Sequence, residues 1–136
     1  MKTRYVAVLS MLAGVAIGAV SVGGLYAQNQ NKAPGGYAVV TFTDLGDEKA
    51  FMENAGNKAP AVIAKHGGHF VVRTNQFTQL REGPTPFPLK RLVIIGFDNV
   101  DAAKAWWSSP DMKDINAYTQ EHTKGRTYIV PAYQGG

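Results

Sequence analysis

Two side chains suited to binding chemistry, His69 and Arg73, lie four residues apart in a β-rich stretch of this sequence. Because successive side chains of a strand point to opposite faces, a strand over residues 69–73 would place both, together with Val71, on one face. An arginine can donate two parallel hydrogen bonds to a carboxylate. The pair therefore predicts a site for an anionic or carbonyl-bearing ligand. The alternative is that both residues lie at strand ends, either solvated or paired with Glu82.

The histidines are candidate metal ligands, because His66 and His69 are close in sequence and His122 could be a third ligand. The spacing of the first two crosses Gly67-Gly68, where the chain reverses, so their rings need not converge. No carboxylate is aligned with them, as a mixed site would require. We therefore predict no metal site, and we interpret His66 as a residue of a last helical turn, where positive charge is favoured.

Two adjacent aromatic residues, Trp106 and Trp107, are predicted to lie on a helix. Neighbouring helical residues are about 100° apart, so the two rings cannot share a face. One tryptophan is expected in the core, and the other at a pocket mouth or a dimer seam.

Composition excludes several classes of protein. The chain has no cysteine, which excludes disulfides, thiolate catalysis and cysteine-ligated zinc or iron–sulfur sites. Two of its 14 basic residues, Lys2 and Arg4, belong to the N-terminal segment, leaving 12 against 10 acidic residues. The remaining basic residues are scattered, so no nucleic-acid partner is predicted. There is also no Ser–His–Asp motif, phosphate loop or dinucleotide fingerprint.

The N-terminus has the pattern of a secretory signal. Lys2 and Arg4 precede 23 uncharged residues that end at Ala27, and a polar run follows. We predict a signal peptide over residues 1–27, cleaved after Ala27, and a linker over residues 28–36. The protein would then be periplasmic or secreted. The alternative is an uncleaved membrane anchor with the domain outside, since 23 uncharged residues could span a bilayer.

The stretch that positions the candidate residues is a helix, a Gly67-Gly68 reversal and a strand over residues 69–73. Before it, the sequence predicts a strand over residues 37–42 and a helix from Asp47 that is kinked or divided at Gly56 and Pro60. After it come a loop over residues 83–90 and the strand Arg91–Phe97, which is apolar on both faces and so central.

The last third predicts two short helices and a strand. Asp98 or Asn99 caps the first helix, which ends at Trp107. Ser109 and Pro110 then begin the second helix as cap and first residue. Gly125 ends the helical region, and a strand over residues 126–133 completes a β-α-β-β-α-β order with the second helix broken in two. This is the ferredoxin-like, α+β arrangement with an antiparallel sheet.

The strands are apolar on both faces, although the helices of such a fold cover only one. A large apolar side chain left in water on the second face would forgo roughly 1.5–3 kcal/mol. A second copy of the same face is the economical cover, so a homodimer is predicted. The alternative is a monomer in which loop 83–90 folds over the sheet.

The chain from Tyr37 onwards resembles domain-of-unknown-function family 1330, within the dimeric α/β-barrel superfamily. The matching pieces, in order, are Ile63–Gly68, Val71-Val72-Arg73, Glu82-Gly83, Arg91–Ile95, Ala102–Trp106 and Ser109-Pro110. The chain has His69 where family members usually have an arginine. An arginine that the family would place in the last helix is absent here, and Thr119 and His122 lie near that position instead. The resemblance implies a domain over residues 37–136, a ferredoxin-like fold and a dimer, but no common reaction.

We therefore predict an exported homodimer that binds a small organic ligand in the barrel cavity between its subunits. A cofactor-free or haem-dependent monooxygenase-like enzyme, with His69 or His66 as base or ligand, is one alternative, and a purely structural dimer is another. No cofactor is predicted, and a membrane is a partner only if the leader is uncleaved. The candidate ligand-binding residues are His69, Arg73, Glu82, Arg91 and Trp106.

Overall fold

The computed structural model describes residues 33–134, and a single compact unit begins at Pro34. The predicted signal peptide and most of the predicted linker lie outside the described residues. Among residues 33–134, no helix is both long and apolar enough to span a membrane.

The described chain contains four strands and two interrupted helical regions. The strands are β1 (Gly36–Asp44), β2 (His69–Thr74), β3 (Arg91–Phe97) and β4 (Lys124–Pro131). The helices are α1 (Glu48–Phe51), a π-helical turn (Met52–Gly56), α2 (Ala59–Lys65), α3 (Val100–Trp107) and α4 (Pro110–His122). This order confirms the predicted β-α-β-β-α-β arrangement.

The strands form one sheet in the order β2-β3-β1-β4, with every neighbouring pair antiparallel. Strand β3 lies inside the sheet, as its apolar residues on both faces predicted. The sheet order and the helical connections confirm the ferredoxin-like, α+β fold.

The first helical region is divided near Gly56 and Pro60, as the sequence predicted. Helix α1 begins after Asp47, whose side chain accepts a hydrogen bond from the Ala50 N–H at 2.9 Å. The chain then widens into the π-helical turn, where Asn57 N–H donates to the Met52 carbonyl at 2.8 Å. Pro60 lies in the first turn of α2, where its missing N–H costs no helical hydrogen bond.

The reversal before β2 has the geometry expected for a glycine-terminated helix. Gly67 has φ = 78°, in the left-handed region that residues with a Cβ disfavour. The Gly68 N–H donates to the Ile63 carbonyl at 2.9 Å, which is the long hydrogen bond of a Schellman motif. The reversal therefore brings β2 back alongside β3.

The break between α3 and α4 follows the predicted boundary, with one difference in capping. The Asn99 side chain accepts from the Ala102 N–H at 2.7 Å and so caps α3. Ser109 precedes Pro110 at the start of α4, but its buried hydroxyl has no hydrogen-bond partner among the described residues. Ser109 therefore occupies the cap position without acting as a side-chain cap.

Two boundaries differ from the sequence prediction. Strand β4 begins at Lys124 rather than at residue 126, because Gly125 pairs with Phe42 of β1 instead of ending the helix. Helix α4 ends at His122 and Thr123 is its C-cap. Within the described chain, residues 75–90 between β2 and β3 form no helix or strand.

The core lies between the helices and one face of the sheet. Its buried apolar residues come from the sheet (Ala38, Phe42, Val93, Ile95, Phe97), from the first helical region (Leu45, Phe51, Ala55, Ile63) and from the second (Ala103, Trp106, Met112, Ile115). The strand register places a different set on the opposite face, which the helices do not cover: Tyr37, Val39, Val72, Leu92, Ile94, Tyr128 and Val130. We call this second set the open face.

Candidate ligand-binding cavity

A cavity of about 580 Å³ lies between the helices and the helix-covered face of the sheet. It is bounded by residues of β1, β2, β3 and β4 on one side and by the π-helical turn, α2, α3 and α4 on the other. The sequence placed a ligand between two copies of the chain. The cavity described here lies within a single chain, and the predicted site between two copies stays a prediction.

The cavity wall is mainly apolar and aromatic. The apolar part includes Phe42, Phe51, Ile63, Phe70, Val93, Ile95, Trp106, Trp107, Met112 and Ile115. The charged residues among the described ones that line it are all basic, namely Arg73, Arg91, Lys124 and Arg126. A mainly apolar wall with a few polar groups is typical of sites for small organic molecules.

A β-bulge decides which face carries Arg73. Phe70 pairs with Ile95, but Val72 pairs with Ile94, so Val71 is an extra residue in β2. Because of this insertion, Phe70 and Arg73 lie on the helix-covered face while His69 and Val72 lie on the open face. The prediction that His69, Val71 and Arg73 share a face is therefore wrong. It assumed an unbroken alternation of side chains.

Arg73 lines the cavity from the edge strand and is held by two contacts. Its Nη2 donates to the Gly56 carbonyl at 3.0 Å, at the end of the π-helical turn. Its guanidinium carbon lies 5.0 Å from the centroid of the Phe70 ring, a cation–π distance. The residue is exposed overall, so it lies at the rim of the cavity.

Arg91, the first residue of β3, is a buried charge with only 8% of its surface exposed. Its Nη1 donates to Asn75 Oδ1 at 3.0 Å, and its guanidinium carbon lies 5.6 Å from the centre of the Phe51 ring. Burial, and secondly the neighbouring charge of Arg73, lowers the pKa of Arg91 below its ordinary value. Among residues 33–134, neither arginine forms an ion pair with a carboxylate.

His69, the other residue of the predicted pair, lies outside the cavity. It pairs with Gly96 on the open face, where a Cβ built on Gly96 would come within 3.0 Å of His69 Cε1. The ring thus covers a glycine of the neighbouring strand. The structure separates His69 from Arg73 by the thickness of the sheet.

Glu82 lies in the segment between β2 and β3, which has no helix or strand, and it is exposed. It forms no ion pair with any described residue. The structure therefore contradicts the alternative in which Glu82 pairs with His69 or Arg73.

The two tryptophans differ in burial. Trp106 is 2% exposed, and its ring lies 5.5 Å from Phe97 in the core. Trp107 is partly buried, and both residues line the cavity. The Trp106 Nε1 is buried and has no acceptor among the described residues. The sequence predicted one tryptophan in the core and the other at a pocket mouth or a dimer seam. Trp106 lies in the core and also lines the cavity, and Trp107 lines it too.

Sequence reasoning missed the polar residues that α4 and its C-cap contribute to the cavity: Asn116, Thr119, Gln120 and Thr123. Their spacing of three, one and three residues is that of one helical face, continuous with Met112 and Ile115. This spacing was visible in the sequence. Nothing in the sequence, however, indicated that this face borders a cavity rather than solvent.

The remaining titratable cluster lies outside the cavity, where α2 ends near the start of α4. Lys65 Nζ donates to Asp111 Oδ2 at 2.8 Å, and His66 Nε2 lies 3.7 Å from the same oxygen. The hydrogen bond from Lys65 and its positive charge lower the pKa of Asp111. Across the described range, no three His, Cys, Asp or Glu residues are grouped as metal ligands.

Solved structures similar to this chain share its fold at low sequence identity. A protein of unknown function from Rhodopseudomonas palustris, RPA0582, superimposes with a TM-score of 0.54 at 14% identity, covering 84% of this chain and 95% of its own. The methylated RPA0582 protein gives a TM-score of 0.57 at 16% identity, with 85% and 94% covered.

A third similar structure is SnoaB from Streptomyces nogalater, described as a cofactor-independent oxygenase. It gives a TM-score of 0.52 at 18% identity and covers 76% of this chain and 97% of its own. At this identity the likeness establishes a shared fold and not an activity. No curated protein matches the sequence.

The family model for a domain of unknown function, DUF1330, matches residues 35–133, which includes nearly all of the described chain. The match spans every strand and helix, the glycine reversal, and the two arginines of the cavity. This protein therefore belongs to the DUF1330 family.

Proposed function

We propose that this protein is an exported homodimer that binds a small organic ligand in the cavity between its sheet and its helices. The observation that carries the proposal is a cavity of about 580 Å³ whose wall contains a buried hydrogen-bond donor, Trp106 Nε1, without an acceptor among the described residues. Most buried polar groups in proteins are hydrogen-bonded, so such donors are unusual. A bound ligand would supply the acceptor.

The size and chemistry of the cavity support this proposal. Sites for small molecules typically enclose about 300–1,000 Å³ and place a few polar groups in an apolar wall. Here the polar groups include the guanidinium groups of Arg73 and Arg91 and the indole N–H of Trp106, and most of the remaining wall is aromatic and aliphatic.

The cavity favours binding over catalysis. The described residues that line it include no His, Asp, Glu, Cys, Ser or Tyr. Arginine and lysine are therefore its ionisable side chains, and arginine does not act as a base near neutral pH. The oxygenase alternative relied on His66 or His69, and both lie outside this lining. The likeness to SnoaB concerns the fold.

Ligand binding is tested by calorimetric titration of the purified protein with two probes of the same shape, naphthalene-2-carboxylate and naphthalene-2-carboxamide. We expect at least one probe to bind with one site per chain. Thr119→Trp places a large side chain in the cavity and should abolish that binding. Lys113→Trp, on the exposed side of the same helix, is the matched control and should leave it unchanged.

Two results would contradict ligand binding in the cavity. One is that neither probe binds to the unmodified protein. The other is that the Thr119→Trp variant, with an unchanged circular dichroism spectrum, binds the probes as tightly as the Lys113→Trp control does.

The homodimer is proposed from the open face. Its apolar side chains include Val39, Ile94 and Tyr128, and Tyr128 is 49% exposed. Apolar side chains exposed together on one face often mark an interaction surface. The segment between β2 and β3 adds further exposed apolar residues, Phe77, Leu80 and Phe87, to the surface available for a partner. A second copy presents the same open face, and pairing the two copies would bury the open face of each.

Sedimentation of the Ile94→Asp variant tests the dimer. A charge in the middle of the open face should produce a monomer, because burying an unpaired carboxylate is costly. Ala117→Asp, on the exposed side of α4, should remain dimeric. A monomeric unmodified protein at micromolar concentration, or a dimeric Ile94→Asp variant, would refute the proposed interface.

Export is proposed from the leader described above. N-terminal sequencing of protein recovered from the periplasm or medium should begin at Gln28. Full-length protein in the membrane fraction would instead identify the leader as an anchor, and full-length protein in the cytosol would refute export.

A further inference from the structure

We propose that the ligand carries a carboxylate, which binds between Arg91 and Arg73, while its apolar body extends towards Trp106. This inference deepens the proposed ligand binding and depends on it. It assigns a chemical class to the ligand and an orientation within the cavity.

The strand register places the two arginines side by side. Arg73 pairs with Val93, and Arg91 lies two residues from Val93 on the same face of β3. Such diagonal neighbours on adjacent strands are about 7–8 Å apart at their Cα atoms, within reach of long side chains. Because both guanidinium groups line the cavity, one carboxylate can lie between them.

The charge distribution indicates an anion. Arg91 is buried and Arg73 lies beside it, yet no described carboxylate pairs with either residue. A buried charge is costly unless it is paired, and two like charges add repulsion. The lowered pKa of Arg91 has these same two causes, burial and Arg73. A ligand carboxylate would remove both costs.

The hydrogen-bonding capacity of the two guanidinium groups is largely unused. Each has five N–H donors. The described contacts use one donor of Arg91, to Asn75 Oδ1, and one of Arg73, to the Gly56 carbonyl. Their planar geometry matches the two oxygens of a carboxylate, which a single-point acceptor such as an alcohol would not satisfy.

The cavity is polar at one end and apolar at the other. Arg91 pairs with Phe42 at the end of the sheet where β4 begins, close to the C-terminal turn of α4. Ile95 lies four residues further along β3, and Trp106 stacks near Phe97 beyond it. A ligand with a charge at one end and an aromatic or aliphatic body fits this gradient.

One opposing field comes from α4, whose C-terminal turn reaches the same end of the cavity. A helix C-terminus carries about half a negative elementary charge, which disfavours an anion. Arg73 and Arg91 together carry two full positive charges, and Lys124 adds a third at the cavity wall. The net field at this end is therefore positive.

The test compares the affinities of naphthalene-2-carboxylate and naphthalene-2-carboxamide, which share the same apolar body. We expect the unmodified protein to prefer the carboxylate by roughly 10- to 100-fold, the range of a charge-assisted hydrogen bond. Arg91→Met should remove most of this preference and leave the affinity for the amide nearly unchanged. Arg81→Met removes one positive charge from an exposed residue outside the cavity and should retain the preference.

The outcomes separate this inference from the proposed function. Equal affinities for the two probes in the unmodified protein would overturn the carboxylate inference but leave ligand binding intact. Failure of both probes to bind would overturn both. A carboxylate preference that persists in Arg91→Met would also overturn the inference.

A second variant keeps the test independent of the folding of Arg91→Met. Arg73→Met changes an exposed residue of the edge strand and should weaken carboxylate binding less than Arg91→Met, because Arg73 is more solvated. The preference should also persist in about 0.5 M salt, since a buried pair is screened less than a surface pair. Loss of the preference at high salt, or an unaffected Arg73→Met variant, would contradict a site between the two arginines.

Discussion

Two clusters of charged residues on the helical side of this molecule differ in what pairs with their positive charges. Lys65 and His66 face a carboxylate, Asp111, and all three lie at the surface or near it. Arg73 and Arg91 face no described carboxylate, although Arg91 is almost fully buried. We call these the paired cluster and the arginine cluster.

The two clusters differ in how their charges affect the free energy of the folded state. An exposed ion pair contributes about 0–1 kcal/mol and is explained by packing and solvation alone. A buried cation without a counter-ion raises the free energy of the folded state. The chain tolerates that cost at a cavity wall, which is where a ligand could offset it.

The largest change in stability is expected at the apolar end of the cavity, away from the arginine cluster. Trp106→Ala removes a buried ring that packs against Phe97, and it should destabilise the protein by about 3–5 kcal/mol. Urea denaturation measures the change. A loss below about 1 kcal/mol would show that the apolar wall is not the main source of stability around the cavity.

The next variant would convert the arginine cluster into a paired one. Asn75→Asp replaces the acceptor of Arg91 Nη1, 3.0 Å away, by an isosteric carboxylate. The free energy of unfolding should increase by about 1 kcal/mol, since hydrogen bonds to charged groups are stronger. Affinity for naphthalene-2-carboxylate should fall at the same time, because the added carboxylate competes for Arg91. An unchanged stability and affinity would contradict the unpaired state of Arg91.

Removing the buried charge itself should cost little. Arg91→Met keeps the aliphatic volume and leaves no carboxylate without its partner, so the free energy of unfolding should change by no more than about 1 kcal/mol. Breaking a buried ion pair, by comparison, costs about 3–5 kcal/mol. A loss of that larger size in urea denaturation would indicate that Arg91 has an anionic partner in the protein.

The smallest effect is expected from the paired cluster. Asp111→Asn removes the acceptor of Lys65, and because the pair is exposed the change in the free energy of unfolding should be the smallest among the four variants. The pKa of Asp111 is lowered from its ordinary value of about 3.8, so its ionised form is favoured by folding. The difference between the two proteins should therefore be complete above about pH 3.8 and vanish as pH falls through the lowered pKa. A difference that grows on acidification would contradict this pairing.

Much of the fold could be predicted because local sequence signals agreed with it. The apolar run Arg91–Phe97, the glycine reversal at Gly67-Gly68 and the Ser109-Pro110 boundary each have a local physical cause. The division of the first helix at Gly56 and Pro60 was predicted in the same way, and the structure confirms it. The β4 boundary failed because Gly125 was read as a helix terminator, whereas it pairs with β1.

The candidate site was predicted only in part. Arg73, Arg91 and Trp106 line one cavity, but His69 lies on the open face and Glu82 in an exposed segment. The error over His69 arose from a single inserted residue, Val71. A β-bulge in a run of similar apolar residues changes no local pattern, yet it shifts every later side chain to the other face.

The sequence by itself determined the order of elements, the central strand, the positions of the helix breaks and the family. These depend on contacts between residues close in the chain, such as capping, backbone dihedral angles and hydrophobic periodicity. Only the tertiary structure decided that the cavity lies within one chain, that β2 carries a bulge, and that Arg91 is buried beside Arg73 without a described carboxylate. Those features depend on how distant strands and helices pair, which no local pattern specifies.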